Sequence, residues 1–309
     1  MCIKIRTLGV ALLAVMVAGC GASGDGSGGG GGGGGGQAGG ASTNPAPAVQ
    51  KDAALAALVP SDIASDGKIV VGSDASYAPN EFVDTDGTTI IGMDVDLGKA
   101  IGQKLGLEVE FQNSAFDGIL PGIAAKKYEL GMSSFTDNAE REKVVDMVTY
   151  FSAGTKMATL KGNPDGINID DLCGKTIAVQ RGTVQVDDLT ARSDKCTAAG
   201  KPAINQAPFQ AQTDVTLALT GKRAQAMLAD SPVVDYAVSK TNGQLEAVGE
   251  AYDTAPYGIA VPKGDGNYAK AIQGAVQALI TDGTYKSITD KWSVSSGAIT
   301  TSKINGAAG

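Results

Sequence analysis

The chain contains no histidine, and this is the most restrictive feature of its composition. Histidine is the commonest metal ligand and the commonest general acid or base near neutral pH, so its absence disfavours metal-dependent and acid–base enzymes. Aromatic residues are also scarce, at 5% of the chain. Lysine and arginine number 25 against 33 aspartate and glutamate residues, which leaves a formal net charge of −8. An acidic chain without a basic cluster is a poor match for nucleic acid or anionic lipid headgroups.

The apolar run near the N-terminus is short. It covers residues 8–18, whereas a helix that spans a bilayer needs about 20 apolar residues. Lys4 and Arg6 precede it, and small residues lead from it to Cys20. The pattern resembles a bacterial lipoprotein signal, so we predict a signal peptide over residues 1–19 and lipid attachment at Cys20. A plain secretory signal or an N-terminal anchor helix is the alternative.

Glycine dominates the next stretch, with an unbroken run over residues 28–36. Such a segment buries too little apolar surface to fold, and it behaves as a flexible coil. We predict a disordered tether over residues 20–50 and a lead-in over residues 51–67. The expected location is extracytoplasmic, with the lipid on Cys20 holding the protein at the outer face of the cytoplasmic membrane.

Cysteine is rare, with four residues in the chain. Cys2 would leave with the signal peptide and Cys20 would carry lipid, which leaves Cys173 and Cys196. Since an exported protein meets an oxidising environment, we predict that these two form a disulfide. A two-cysteine metal site is the alternative, although no histidine is present to complete it. We expect no metal and no cofactor.

From residue 68 onward, short apolar strands alternate with helical patterns. Residues 68–72 read as a buried strand, and residues 84–87 as the turn of a hairpin. Asp94 is a candidate cap for a helix in which Leu97, Ile101 and Leu105 recur every four residues. This alternation predicts an α/β fold with a mostly parallel sheet.

Ordered motifs extend along nearly all of this folded part. Together they resemble the solute-binding proteins of amino-acid ABC importers, the polar amino-acid family. Each motif is weak alone, but their order and spacing behind a lipoprotein signal are specific. They are residues 71–79 (VGSDASYAP), 92–97 (GMDVDL), 116–121 (FDGILP), 133–136 (SSFT), 144–146 (VVD), 150–151 (YF), 174–179 (GKTIAV) and 182–185 (GTVQ), with Arg141 between the fourth and fifth.

The resemblance implies a periplasmic-binding-protein fold of type II, with two α/β lobes joined by two crossing strands and the ligand between them. Lobe 1 would comprise residues 68–156 and 254–294, and lobe 2 residues 157–253. Residues 295–309 would form a flexible tail. The expected partners of this monomer are an amino acid, a membrane permease and the ATPase of that permease.

An amino-acid ligand brings a carboxylate, which suits a bidentate cation and backbone N–H donors. Arg141 is the candidate cation, since it lies at a predicted helix start, where the helix dipole favours anions. Thr136 would add an N–H and a hydroxyl. A solvated helix charge beside Glu142 is the alternative role for Arg141. Across the cleft, a turn into a second helix would complete the carboxylate site with Thr183, Val184 and Gln185.

The ligand's ammonium suits a carboxylate and neutral acceptors. Asp230 follows an apolar strand, and ligands of open α/β sheets bind beyond the carboxyl ends of strands. The family has an aspartate with this role at that place. A helix N-cap is the alternative for Asp230, because Ser231 and Pro232 follow it. Ser133 and Ser134 would add a carbonyl and a hydroxyl.

The ligand's side chain needs a pocket. Tyr77 and Phe116 match family positions whose rings sandwich the ligand, and core packing is the alternative role for Phe116. Asp74 could meet a basic or polar side-chain tip. Asn80 and Val184 depart from the family's usual residues, so the identity of the amino acid stays open.

Three functions follow from these observations. Capture of an amino acid and delivery to an ABC permease is the main hypothesis, and it requires no catalysis. A sensing module for a separate membrane receptor is the second. A lyase-type enzyme on the same fold is the third, and its acids and bases would have to be carboxyl groups such as Asp74 and Asp230.

Overall fold

The computed structural model describes residues 48–264 and 266–307. The predicted signal peptide, Cys20 and most of the predicted tether lie outside these residues. Strands and helices alternate in the described chain, as its apolar pattern predicts. In chain order they are α1 (Ala53–Ala56), α2 (Ser61–Asp66), β1 (Lys68–Ser73), β2 (Ser76–Tyr77), β3 (Glu81–Val83), β4 (Ile90–Ile91), α3 (Met93–Leu105), β5 (Glu108–Asn113), α4 (Phe116–Ala124), β6 (Leu130–Gly131), α5 (Ala139–Glu142), β7 (Val145–Leu160), β8 (Thr176–Gln180), α6 (Val184–Ala198), β9 (Asn205–Phe209), α7 (Gln212–Thr220), β10 (Ala226–Asp230), α8 (Ser231–Lys240), β11 (Leu245–Pro262), α9 (Gly266–Thr281), α10 (Thr284–Lys291) and a 3-10 helix (Ser295–Gly297).

One eight-stranded sheet runs through the described chain, in the order β5-β1-β6-β11-β7-β10-β8-β9. β1 pairs in parallel with β5 and β6, and β8 pairs in parallel with β9 and β10. β7 and β11 form an antiparallel pair between these two parallel groups. β2, β3 and β4 form a small antiparallel sheet that contains the predicted hairpin. The long central pair therefore joins two α/β halves.

The two long strands bend where they pass from one half to the other. β7 has 16 residues and β11 has 18. Their register breaks between Val248 and Tyr252, and again between Tyr252 and Ala255. A side chain at Gly154 would come within 2.7 Å of the Tyr252 carbonyl oxygen, so the strands approach closely there. We take this bend as the boundary between the two predicted lobes. The names lobe 1 and lobe 2 refer below to the residue ranges predicted from the sequence.

Helix α3 shows how the sequence pattern builds the lobe 1 core. Met93, Leu97 and Ile101 lie on one face of the helix and are almost fully buried. The predicted capping role of Asp94 is wrong: the N-cap is Gly92, at φ 141°. A Cβ at that position would lie 2.0 Å from the Asn80 carbonyl oxygen, so only glycine fits. Asp94 is instead buried inside the first turn, with no exposed surface.

The segment after Trp292 packs against lobe 1, whereas the sequence predicts a flexible tail over residues 295–309. The Thr149 N–H donates to the Lys303 carbonyl at 2.8 Å, and the Asn305 N–H donates to the Met147 carbonyl at 2.7 Å. β10 pairs with β7 only in lobe 2. In lobe 1, the C-terminal segment pairs with that same edge of β7. Ile299 and Ile304 also pack against the lobe 1 core. The sequence does not reveal this contact, because two isolated apolar residues in a polar segment form no helix or strand pattern.

Within residues 48–264 and 266–307, every helix is too short or too polar to span a lipid bilayer. Likewise, this part of the chain holds no group of three or more aspartate, glutamate or cysteine side chains placed to bind a metal ion.

Cys173 and Cys196 form the predicted disulfide, with their Cα atoms 5.6 Å apart. It joins the segment before β8 to the last turn of α6, and 23 positions separate the two cysteines. We expect the double variant Cys173→Ser/Cys196→Ser to lose about 3 kcal/mol of unfolding free energy in a denaturant titration, because the unfolded chain gains freedom. Its affinity for ligand should not change, since the cleft lies at the opposite ends of β8 and α6. Equal stability, or a loss of binding, would contradict this expectation.

Candidate ligand-binding cleft

A cavity lies between the two lobes, at the carboxyl ends of β1, β6, β8 and β10. Its volume is about 10 Å³, which is room for about one water molecule. All eleven residues that the sequence nominates for ligand binding line this cavity. Gln180, which sequence reasoning missed, completes the set of Asp74, Tyr77, Phe116, Ser133, Ser134, Thr136, Arg141, Gln180, Thr183, Val184, Gln185 and Asp230.

Arg141 reaches into the cleft from the short helix α5. Asn138 caps this helix, and its side-chain oxygen accepts from the Arg141 N–H at 2.9 Å. The guanidinium donates to the Thr136 carbonyl at 2.8 Å and, across the cleft, to the Gly182 carbonyl at 3.2 Å. The alternative of a fully solvated helix charge therefore does not hold, because the guanidinium bridges the two lobes.

Two aromatic rings lie beside the Arg141 guanidinium. Its central carbon lies 5.5 Å from the centroid of the Phe116 ring and 5.3 Å from that of Phe135. The two rings stack on each other with their centroids 4.6 Å apart, so together they form an apolar wall on one side of the cation. Burial lowers the pKa of Arg141 to about 10, so the side chain stays protonated near neutral pH. Phe116 thus serves both the core and the cleft.

The lobe 2 wall is the start of α6. Thr183 is the N-cap, and Gly182 before it has a φ of 76°, a conformation that suits glycine. The Thr183 hydroxyl donates to the Gln180 carbonyl at 2.9 Å, which ties the turn to the end of β8. The first N–H groups of a helix have no partners within it. The N–H groups of Val184 and Gln185, at the start of α6, can therefore bind an anion.

Asp230 is the last residue of β10 and is 6% exposed. Its carboxylate accepts from the Gln185 amide at 2.7 Å and from the Tyr257 hydroxyl at 2.7 Å. The Tyr77 hydroxyl accepts from the Asp230 N–H at 3.1 Å. Asp230 occupies the N-cap position of α8, but its side chain makes no capping bond and turns into the cleft. Burial raises the pKa of Asp230, and the bonds from Tyr257 and Gln185 oppose this rise.

Ser133 and Ser134 form the lobe 1 floor of the cleft. Ser134 has a φ of 54°, a left-handed conformation that is uncommon for a residue other than glycine. Its N–H donates to Asp94 at 3.1 Å and to the Tyr150 hydroxyl at 3.2 Å. Two buried polar side chains beneath the floor therefore hold this backbone in place.

Asp74 lines the cleft, but donors of the protein already surround its carboxylate. One oxygen accepts from the Ser76 hydroxyl at 2.5 Å and from the Ser76 N–H at 3.2 Å. The other accepts from the Phe116 N–H at 2.9 Å and from the Gln180 amide at 3.0 Å. Because Asp74 belongs to lobe 1 and Gln180 to lobe 2, the pair also holds the lobes together. The sequence signal for Gln180 is the one that identified Asp230, a polar residue that ends a buried strand.

Further hydrogen bonds join the lobes around the rim of the cleft. The Gln212 N–H donates to the Ser76 hydroxyl at 2.9 Å, and the Gln210 amide donates to Asp117 at 3.0 Å. A cavity this narrow cannot admit a molecule larger than water without movement. Separation of the lobes about the bend in β7 and β11 is the simplest route of entry.

Comparison with known proteins agrees with this geometry. Residues 69–295 match the model of the bacterial extracellular solute-binding proteins, family 3. The chain belongs to this family. The family membership and the two-lobed α/β architecture, both predicted from the sequence, are therefore confirmed.

Three relatives of this solute-binding protein are informative. It is 36% identical to the arginine-binding protein ArgT of Corynebacterium glutamicum over 263 residues, which cover 85% of this chain and 84% of the relative. An ancestral arginine-binding protein, solved with arginine bound, is 34% identical with a TM-score of 0.68, covering 73% of this chain and 98% of that one. The ancestral amino acid-binding protein AncCDT-1, a precursor of cyclohexadienyl dehydratase, is 32% identical with a TM-score of 0.65, covering 75% and 97%.

Proposed function

We propose that this protein captures an L-amino acid between its lobes and delivers it to the permease and ATPase of an ABC importer. One observation carries the proposal: a single cavity holds the Arg141 guanidinium and the Asp230 carboxylate, with serine hydroxyls beside them. An α-amino acid carries the complementary carboxylate and ammonium groups, so one small molecule satisfies both charges. The site needs no metal or cofactor for this task.

Arginine is the first ligand to test. The names of the relatives point to it, and acidic side chains are placed to favour a cationic ligand. Asp230 and Asp187 act electrostatically on Arg141 from lobe 2, while Asp117 stands at the rim of lobe 1. If the Gln180 amide moves away, one Asp74 oxygen becomes free to accept a hydrogen bond from the guanidinium or amide group of a ligand side chain. We therefore propose a basic or polar amino acid as the ligand class.

We propose that the protein works as a monomer outside the cytoplasm, held by lipid on Cys20 at the outer face of the membrane. Residues 20–50 would then give the folded lobes enough reach to meet the permease. Metabolic labelling with a fatty acid, compared between wild type and Cys20→Ser, tests the anchor. Label that persists in the variant would contradict it.

Isothermal titration of a chain that lacks residues 1–20 against the twenty amino acids tests the ligand. We expect tight binding of arginine or of a few polar amino acids, and recovery of the ligand unchanged after long incubation. Binding of none of them would overturn the proposal, and conversion of the ligand would favour an enzyme. Stimulation of ATPase activity in the reconstituted transporter would separate transport from the alternative role in sensing.

A further inference from the structure

Two buried carboxyl groups lie directly beneath the floor of the cleft. Glu81, in β3, and Asp94, in α3, both have no exposed surface. Both carboxyl groups accept hydrogen bonds from Ser134, Asp94 from its N–H at 3.1 Å and Glu81 from its hydroxyl at 3.2 Å, so the two are close neighbours. Two ionised carboxylates at such a distance, both out of water, would repel strongly. The pair therefore holds a proton in the folded protein.

The hydrogen bonds around the pair show where that proton lies. One Asp94 oxygen accepts from the Tyr150 hydroxyl at 2.7 Å and from the Ser134 N–H at 3.1 Å. The other, Oδ1, is buried and has no donor among the described residues. A proton on Glu81 that points to this oxygen supplies the missing bond. Burial and the charge of Asp94 raise the pKa of Glu81 well above its ordinary value, while burial raises the pKa of Asp94 to about 6.

Glu81 also accepts hydrogen bonds from the two serines of the floor. The Ser133 hydroxyl donates to Glu81 Oε1 at 3.0 Å, and the Ser134 hydroxyl donates to Oε2 at 3.2 Å. The Ser133 oxygen accepts from the Asp74 N–H at 2.9 Å. Similarly, the Ser134 oxygen accepts from the Asn80 amide at 2.8 Å. A serine hydroxyl has one hydrogen and two lone pairs, so each oxygen keeps one lone pair for the cleft.

We propose that Glu81 is a positioning residue. It accepts hydrogen bonds from the hydroxyl groups of Ser133 and Ser134, so that the oxygens of both serines are left to accept hydrogen bonds from the ligand. This inference rests on the proposed function, because the ammonium of an amino acid is the donor that these oxygens would meet. Glu81 does not touch the ligand. It sets the direction of two hydroxyl groups that do.

The variant Glu81→Gln tests this role because it keeps the size and removes the carboxyl group. The new amide donates to Asp94 and to one serine oxygen, which turns the hydrogen of that serine towards the ligand. We expect about tenfold weaker binding of the best amino acid by isothermal titration. The α-hydroxy acid with the same side chain has no ammonium, and its affinity should change less than about threefold. Glu108→Gln, at an exposed glutamate in β5, is the matched control and should change neither affinity.

Equal weakening of both ligands by Glu81→Gln would overturn the inference, because a merely loosened floor affects them alike. Unchanged amino-acid binding in this variant would also overturn it while leaving the proposed function intact. If wild type binds no amino acid, both fail together.

The shared proton gives a second test, through the pH dependence of stability. The groups that face Glu81 are Asp94 from α3, Asp74 after β1, Tyr77 from β2 and Tyr150 from β7, and all of them are acids. The folded protein holds the Glu81 proton above pH 4.5, where the unfolded chain releases it. The stability that this proton contributes therefore falls as pH rises. We expect the melting temperature of Glu81→Gln to improve relative to wild type between about pH 5 and pH 8. A constant difference would contradict the shared proton.

A third measurement needs only wild type, so it does not depend on the folding of a variant. With carbon-13 in the carboxyl groups of glutamate, the infrared spectrum at about pH 7 should show a protonated carbonyl band that shifts with the label. Exposed glutamates are ionised at that pH and do not contribute to it. The absence of such a band would show that Glu81 is ionised and would overturn the inference.

Discussion

Replacement of Arg141 by alanine is expected to weaken amino-acid binding by about 100- to 1,000-fold. The guanidinium offers its N–H groups in a fixed fork, which binds both oxygens of a carboxylate. It lies beside the stacked rings of Phe116 and Phe135, and it donates to the Gly182 carbonyl just before the start of α6. The N–H groups at the start of α6 would bind the same carboxylate. Without it, the carboxylate would enter a narrow cleft that has lost its balancing cation.

Isothermal titration with the best ligand measures this effect. Lys143→Ala is the matched control, because Lys143 closes the same short helix but pairs with Glu140 in solvent. It should bind like wild type. Arg141→Lys should fall between the two, since an ammonium keeps the charge but loses the fork. Binding by Arg141→Ala within about tenfold of wild type would show that the carboxylate lies elsewhere.

The second large effect is expected from Asp230→Asn, with binding about 100-fold weaker. The variant keeps the shape and most of the contacts with Tyr257 and Gln185 but loses the negative charge. Asp230 is the buried carboxylate that we assign to the ligand's ammonium, so its charge cannot be replaced by solvent. The rise in its pKa does not prevent this role, because a bound ammonium favours the ionised form.

Asp235→Asn is the control, on the same helix α8. Asp235 is exposed and pairs with Lys156 at 2.5 Å, outside the cavity. Its loss should leave affinity unchanged. The α-hydroxy acid analogue gives the decisive comparison, because it should bind wild type weakly and lose little more in Asp230→Asn. Equal losses for the amino acid and its analogue would instead mean that Asp230 only supports the structure.

The sequence predicts much of this site because its residues sit at recognisable places in the fold. Asp230 ends a fully apolar strand, Thr183 stands where a strand turns into a helix, and Arg141 follows the asparagine cap of a short helix. These are local patterns, and the parallel strands bring them to a common edge. The alternation of strands and helices likewise predicts the layered α/β architecture. The ligand contacts themselves stay predictions.

The features that the sequence does not predict depend on contacts between segments far apart in the chain, and such contacts leave no local pattern. Glu81 lies in a three-residue strand that reads as half of a hairpin, and nothing nearby shows that Asp94 packs against it. Asp94 looks like a helix cap because it is an aspartate before an apolar repeat, yet Gly92 fills that place. The backbone pairing of Lys303 and Asn305 with β7 depends on an uncovered edge that only the folded sheet creates.

The rim contact between Asp117 and Gln210 also makes the protein easy to convert into an optical reporter. Both residues are exposed on facing edges of the two lobes, and their side chains meet at 3.0 Å. Cys173 and Cys196 are bonded to each other, so in a chain that lacks residues 1–20 a cysteine at position 210 would be the one free thiol. An environment-sensitive dye on that cysteine would contact the facing lobe when the cleft is closed and would face solvent when it is open. Its emission would therefore follow ligand concentration without any added reagent.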